Sequence, residues 1–262
     1  MKRRFFPLAL TVLSAVLPVL AAQTLSFGPI TAAIAISGVP FQAERVGRLV
    51  HKLANGTTIT REVRGRIARD SEGRVLEEEQ QTISGETKLP NGPMNVTVLD
   101  PVKHSVLTWS NSSQTATLRE MSEILIRHIS FPLEHTYLKL GWDRPLHGAD
   151  PDKVTTDDLG QKTISGLTTT GTRTTTVIPI GKLGNDRVLT IVHDVWLSED
   201  LKLAILDTVD DPMDGQQTLE IQDIVRTEPD PAVFRLPGGY ETKPPVSLLG
   251  GIIGSSTPPS KP

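Results

Sequence analysis

The residues best suited to hold a metal or move a proton are six histidines, at His51, His104, His128, His135, His147 and His193. A histidine metal site wants ligands at a short fixed spacing on one element, such as i and i+4 on a helix, and no two of these stand so. Even the nearest pair, His128 and His135, is divided by Pro132. They read as solvated or singly hydrogen-bonded histidines, and no metal is expected. The chain has no cysteine, which excludes disulfides, thiolate metal sites, iron–sulfur clusters and a cysteine nucleophile. It carries no G-x-S-x-G elbow, Walker loop or G-x-G-x-x-G, and Gly250-Gly251 with Gly254 lies in a low-complexity tail. With 30 Asp and Glu some carboxylates must fall close together. The run Glu77-Glu78-Glu79 nevertheless reads as a solvated strand edge whose charge discourages pairing with another sheet. No catalytic residue and no cofactor is expected, and the chain reads as a non-enzyme.

Other chemistries are as thinly supplied. Lys and Arg number 27 against the 30 acids, a net charge of −3, so no single-sign field points to nucleic acid or to an anionic membrane surface. Sugar-binding surfaces stack on exposed aromatics, and there are only three tryptophans. Trp196 alternates with Val192 and Val188, which suits a core row, whereas Trp142 stands in a Pro-rich connection and suits a rim. The sequons at Asn55, Asn95 and Asn111 read as chance occurrences in a Thr-rich chain.

The elements that would position any site begin with an address. Met1-Lys2-Arg3-Arg4 is a basic n-region, Phe5 to Leu20 is an uncharged apolar run, and Ala21-Ala22 supplies small residues for cleavage. Residues 1–22 are therefore expected to be a signal peptide, sending the protein to the periplasm or outside the cell. The run is shorter than the roughly 20 residues of a span, so no transmembrane segment is expected after cleavage. Residues 23–40 read as a flexible leader. From Phe41 to Ser110 the pattern is strand and turn, with Asn55-Gly56, Asp70-Ser71-Glu72-Gly73, Pro90-Asn91-Gly92-Pro93 and Asp100-Pro101 as the turns. Ile59, Val63 and Ile67 share one face of a strand and Glu62, Arg64 and Arg66 the other, which makes a sheet with one wet face.

A helix is expected near residues 117–129, where Leu118, Met121, Leu125 and Ile129 recur at three- and four-residue steps and Pro132 ends the run. The second half resumes strands. Thr-rich LTTTGTRTTTVIPI is followed by DRVLTIVHDVWLS, LKLAILDTV and QQTLEIQDIVR on short turns, a meander. Residues 41–241 read as one antiparallel β-rich domain and residues 242–262 as a disordered Pro/Gly/Ser-rich tail.

Several segments in this order resemble a known family. Gln161-Lys162-Thr163-Ile164-Ser165-Gly166 opens a strand, Asp194-Val195-Trp196-Leu197-Ser198 precedes LKLAIL, and the last strand runs into Glu228-Pro229-Asp230-Pro231, Phe234, Pro237 and Gly239-Tyr240. The pattern from Lys162 to Tyr240 is similar to uncharacterised exported members of the lipoprotein-carrier-like half-barrel superfamily, which includes LolA-, LolB- and RseB-like proteins. The resemblance implies a mainly β fold, a curved antiparallel sheet with one or two helices on its concave side. A β-sandwich is the alternative that the strand pattern alone also allows. It further implies a non-catalytic envelope protein that binds an acyl chain, lipoprotein or apolar peptide, with lipid, lipoprotein or an envelope protein as partner. The alternative is a structural or interaction protein with no small-molecule ligand. Leu118, Met121, Leu125 and Ile129 on the helix, with Val188, Val192, Trp196 and Leu203 on the strands, are the expected ligand contacts.

Overall fold

The structure is a computed structural model that describes residues 35–80, 94–121 and 153–243. Twelve strands form one sheet: β1 (Phe41–Lys52), β2 (Thr58–Arg69), β3 (Val75–Gln80), β4 (Met94–Asp100), β5 (Ser105–Ser110), β6 (Thr115–Glu120), β7 (Val154–Ile164), β8 (Leu167–Ile178), β9 (Leu189–Ser198), β10 (Leu203–Asp211), β11 (Gly215–Val225) and β12 (Glu241–Lys243). Their order across the sheet is β12-β6-β5-β4-β3-β2-β1-β11-β10-β9-β8-β7. Two meanders are thus joined where β1 lies antiparallel to β11, and β12 alone pairs in parallel, with β6. The turns follow from residue type. Ser165 and Gly166 both take positive φ, 48° and 77°, between the paired residues Ile164 and Leu167, which is the two-residue hairpin geometry that matches strand twist.

The sheet curls so that one face becomes its interior. Phe41, Ile67, Val75, Leu99 and Ile221 of the central strands share a core with Leu167 of β8, on the far side of the sheet order. Ser165 Oγ reaches across to donate to the Ile221 carbonyl of β11 at 3.1 Å. Arg69 fastens this closed end. It is fully buried, its Nε donates to the Val39 carbonyl at 2.8 Å and its Nη2 to the Leu201 carbonyl at 2.7 Å, and its guanidinium carbon lies 4.9 Å from the Phe41 ring centre. Buried carbonyls need donors, and one forked cation here serves two that are distant in sequence.

The convex face has two surfaces. Over β1, β2, β3 and β11 it is the expected wet face: Arg48 to Glu62 (2.9 Å), Arg64 to Glu62 (2.7 Å) and Glu44 (2.9 Å), and Arg66 bidentate to Glu78 (2.8 and 3.0 Å). Towards β6 it turns apolar, with Ala68, Leu76, Val98, Trp109 and Ala116 in a second core. The C-terminal motif covers that core. Asp230 caps the short 3-10 helix Pro231–Phe234 by accepting from the Ala232 amide at 2.9 Å. Phe234 is buried in the second core, and Tyr240 meets Trp109 edge-on at 6.5 Å. The run from Glu228 to Tyr240 that carries the resemblance is therefore a lid on the convex face.

The mainly β curled sheet is the architecture the sequence implies, and one continuous sheet replaces the sandwich alternative. Four expectations need correction. Thr115–Glu120, the start of the expected helix, is strand β6. Its register places Ala116 opposite Trp109 and Leu118 opposite Leu107, with Thr115 and Thr117 on the other face. That two-residue period, with a partner strand one turn away, overrides the three- and four-residue spacing of Leu118 and Met121. The Glu77-Glu78-Glu79 run is not an edge: β3 lies between β2 and β4, and Glu77 is buried. The end of the leader is docked, since Ala35 is buried and Val39 packs on the concave core. Thr242 and Lys243, the start of the expected tail, belong with Glu241 to strand β12. The signal segment, residues 122–129 of the expected helix and residues 244–262 lie outside the described residues.

Candidate functional site

Register fixes what the concave face presents at each level. At the closed end it is apolar, built from Phe41, Ala43, Ile67, Leu203 and Ile205. Midway it becomes polar. Arg45, with a side chain only 5% exposed, points to Glu79 across β2 at 3.4 Å, and buried Glu77 stands beside them. His193 Nε2 lies 2.9 Å from Asp207 Oδ1 on the same face, one strand pair further round. Burying such groups is costly unless they are paired, so their presence marks a surface that is not simply filled core.

Beyond this belt the concave face opens. Leu49 and His51 of β1, Ile59 and Arg61 of β2, Gln217 of β11, and Met213 and Asp214 of the β10–β11 turn line a cavity of about 370 Å³. Alternation puts all five strand residues on the concave face: Leu49 pairs with Arg61 and with Gln217, and His51 pairs with Ile59. His51 Nδ1 lies 3.4 Å from the Asp214 carbonyl, bringing the turn to the cavity wall. Three apolar side chains thus surround a guanidinium, an imidazole, an amide and a carboxylate. Among the described residues Arg61 has no ion-pair partner, whereas Arg48, Arg64 and Arg66 on the convex face are all paired. That combination suits an amphiphile, with apolar atoms against Leu49, Ile59 and Met213 and a polar end within reach of Arg61. Among the described residues no group of three or more His, Asp or Glu side chains could hold a metal.

Of the eight residues expected to touch ligand, the six that are described do not share one surface. Met121 and Leu203 are buried in the concave core. Leu118 faces the second, convex-side core, opposite Leu107. Trp196 is on the convex face: it stacks on Gly171, where a Cβ would come within 2.6 Å of its ring, and Lys162 Nζ covers it at 3.6 Å from the ring centre. Val192 shares that face, near Asp194, which Arg173 holds bidentately at 2.7 Å. Val188 is exposed in the β8–β9 loop. Leu125 and Ile129 lie outside the described residues. Sequence reasoning passed over Leu49 and Arg61 and took His51 only for a solvated or singly hydrogen-bonded histidine. Their signal was an alternation on either side of the Asn55-Gly56 turn, which places Leu49, His51, Ile59 and Arg61 on one face.

No family model matches the chain, and neither does any curated protein. Among solved structures it is similar to the MucA/MucB complex of Pseudomonas aeruginosa, at 12% identity and a TM-score of 0.38 over 81% of this chain and 60% of that one. It is also similar to the Mycobacterium tuberculosis lipoprotein LppX, at 12% identity and a TM-score of 0.31 over 72% of this chain and 88% of that one. A third is the LolA superfamily protein NE2245 from Nitrosomonas europaea, at 8% identity and a TM-score of 0.32 over 79% and 94%. The chain spans only about 60% of the length of the MucB-complex chain it matches. These neighbours are lipoprotein-carrier-like folds.

Proposed function

We propose that this protein is an exported, non-catalytic binding module of the cell envelope that takes an acyl chain, a lipoprotein or an apolar peptide on its concave sheet face. The observation that supports the reading is the cavity at the open end of that face, about 370 Å³, with Leu49, Ile59 and Met213 beside an Arg61 that has no ion-pair partner among the described residues. A volume of this size accommodates part of a chain rather than a whole lipid, so the bound segment extends out of the mouth. The basic and apolar character of residues 1–20 supports export. Titration with a fluorescent fatty acid tests the reading. Saturable binding is expected, weakened at least about tenfold by Ile59→Asp, which puts a carboxylate among the apolar contacts. Ile59 is already 39% exposed and belongs to neither core, so the variant should stay folded.

A second reading, an interaction protein with no small-molecule ligand, is favoured by one specific observation. The closed end of the concave face is filled by its own side chains, and the Arg45–Glu79 pair crosses it midway. Wild-type protein that ignores the fatty acid at every concentration supports this second reading over the first.

A further inference from the structure

The turns at the open end of the sheet share a feature that the binding reading does not use. Val50 pairs with Gln216, Gln216 with Asp210, Asp210 with Val192, and Val192 with Thr175. The β1–β2, β10–β11 and β8–β9 turns all lie just beyond this row, at one end of the sheet. Each holds large apolar side chains out in water: Leu53 on the first, Met213 on the second, and Ile180, Leu183 and Val188 on the third. Ile59 and Val154 stand beside them, and among the described residues only Val102 and Val225 are exposed large apolar side chains at the other end.

These are not loose loops. Asn185 ties the third turn: its Nδ2 donates to the Pro179 carbonyl at 2.9 Å and the Arg187 carbonyl at 2.6 Å, and its Oδ1 accepts from the Leu183 amide at 3.0 Å. Asn55 Oδ1 accepts from the Thr57 amide at 3.0 Å, and Asp211 Oδ1 from the Met213 amide at 2.8 Å. A stitched turn that keeps aliphatic side chains in water gives up burial it could have had, which marks a contact surface.

We propose that this rim docks on a lipid surface, with Ile180, Leu183 and Leu53 entering the headgroup region around the cavity mouth. Three observations favour lipid over protein as the occupant. The apolar side chains are spread over three separate turns at one end of the sheet instead of forming one flat patch, a shape that penetrates a soft interface better than it matches a rigid one. Exposed Lys52, Lys182 and Arg187 are interleaved with them, balanced by exposed Asp186, Asp210 and Asp214, so the rim is amphipathic and carries no net charge that would repel a headgroup layer. The surface is also continuous with the cavity, since Met213 belongs to both. Docking would put the mouth against a source of acyl chains.

The absence of cysteine makes a site-specific test direct. Leu183→Cys and Val102→Cys, each labelled with a nitrobenzoxadiazole fluorophore on protein recovered after export, are mixed with vesicles of phosphatidylethanolamine and phosphatidylglycerol. The probe at 183 should brighten and shift to the blue while the probe at 102 stays unchanged. In parallel, Ile180→Ser with Leu183→Ser should weaken vesicle co-flotation at least about tenfold, because two side chains no longer leave water. The same double variant should bind the fluorescent fatty acid in solution as wild type does, since neither residue lines the cavity. No response at 183, an equal response at 102, or unchanged co-flotation of the double variant overturns the proposal. Loss of fatty-acid binding in wild type would instead strike the binding reading and leave the rim untouched.

Discussion

Arg69→Met puts the curl itself to the test. Methionine refills most of the volume, so the variant leaves little cavity, but it withdraws both donors from the Val39 and Leu201 carbonyls at a fully buried position. Each orphaned acceptor costs about 1–3 kcal/mol. The lost contact of a desolvated guanidinium with the Phe41 ring, 4.9 Å away, adds about 1–2 kcal/mol. Relief from burying a charge offsets part of this, and a net loss of about 3 kcal/mol results. Against a typical domain stability of about 5–15 kcal/mol that is a large fraction. Equilibrium urea unfolding followed by tryptophan fluorescence should show the midpoint lowered by about 1–2 M with a similar slope. Arg69→Lys, which keeps the charge and serves one carbonyl at a time, should fall between. A loss below about 1 kcal/mol in Arg69→Met would refute the reasoning that this side chain fastens β2 to the β9–β10 turn.

Three further perturbations probe other layers. Gly171→Ala places a Cβ within 2.6 Å of the Trp196 ring and should destabilise by about 1–3 kcal/mol, with a change in tryptophan emission that reports the displaced ring. Phe234→Ala should cost about 3–5 kcal/mol and raise binding of a hydrophobic dye, because it uncovers the core behind Trp109 and Leu76; unchanged dye binding would contradict the lid role of the C-terminal segment. The hydrogen bond from Arg48, aided by Arg64 and opposed by desolvation, holds the Glu62 carboxyl below the usual glutamate range. Its stabilising contribution is present above the unfolded value of about pH 4.3 and is lost as pH falls through the lower folded value. The difference in melting temperature between wild type and Glu62→Gln should therefore shrink between about pH 6 and pH 3, and a constant difference would contradict the assignment.

Much of the sheet was legible because its signals are local. Asn55-Gly56 marks the β1–β2 hairpin, Ser165-Gly166 supplies two positive φ values at the β7–β8 turn, and strands β9, β10 and β11 of the second meander fall close to the segments read from the sequence. What failed was non-local. Leu118 and Met121 are three apart, so a helical period fitted them. The deciding fact was that β5 could pair with β6 across a turn at Asn111–Gln114, which opposes Leu107 to Leu118. The acidic β3 looked like an edge because its partners on β1 and β2, Arg45 and Arg66, are distant in sequence. The expected ligand contacts scattered for the same reason. A two-residue period says which residues share a face of one strand, but not which face the whole sheet will curl inward.

The central claim is that the concave face holds an amphiphile, and native mass spectrometry of the protein recovered after export tests it most directly. The account predicts species heavier than the bare chain by the mass of an acyl-bearing molecule, released on collisional activation and diminished in Ile59→Asp. A spectrum of bare protein alone, from material that also fails to bind a fluorescent fatty acid, would contradict it.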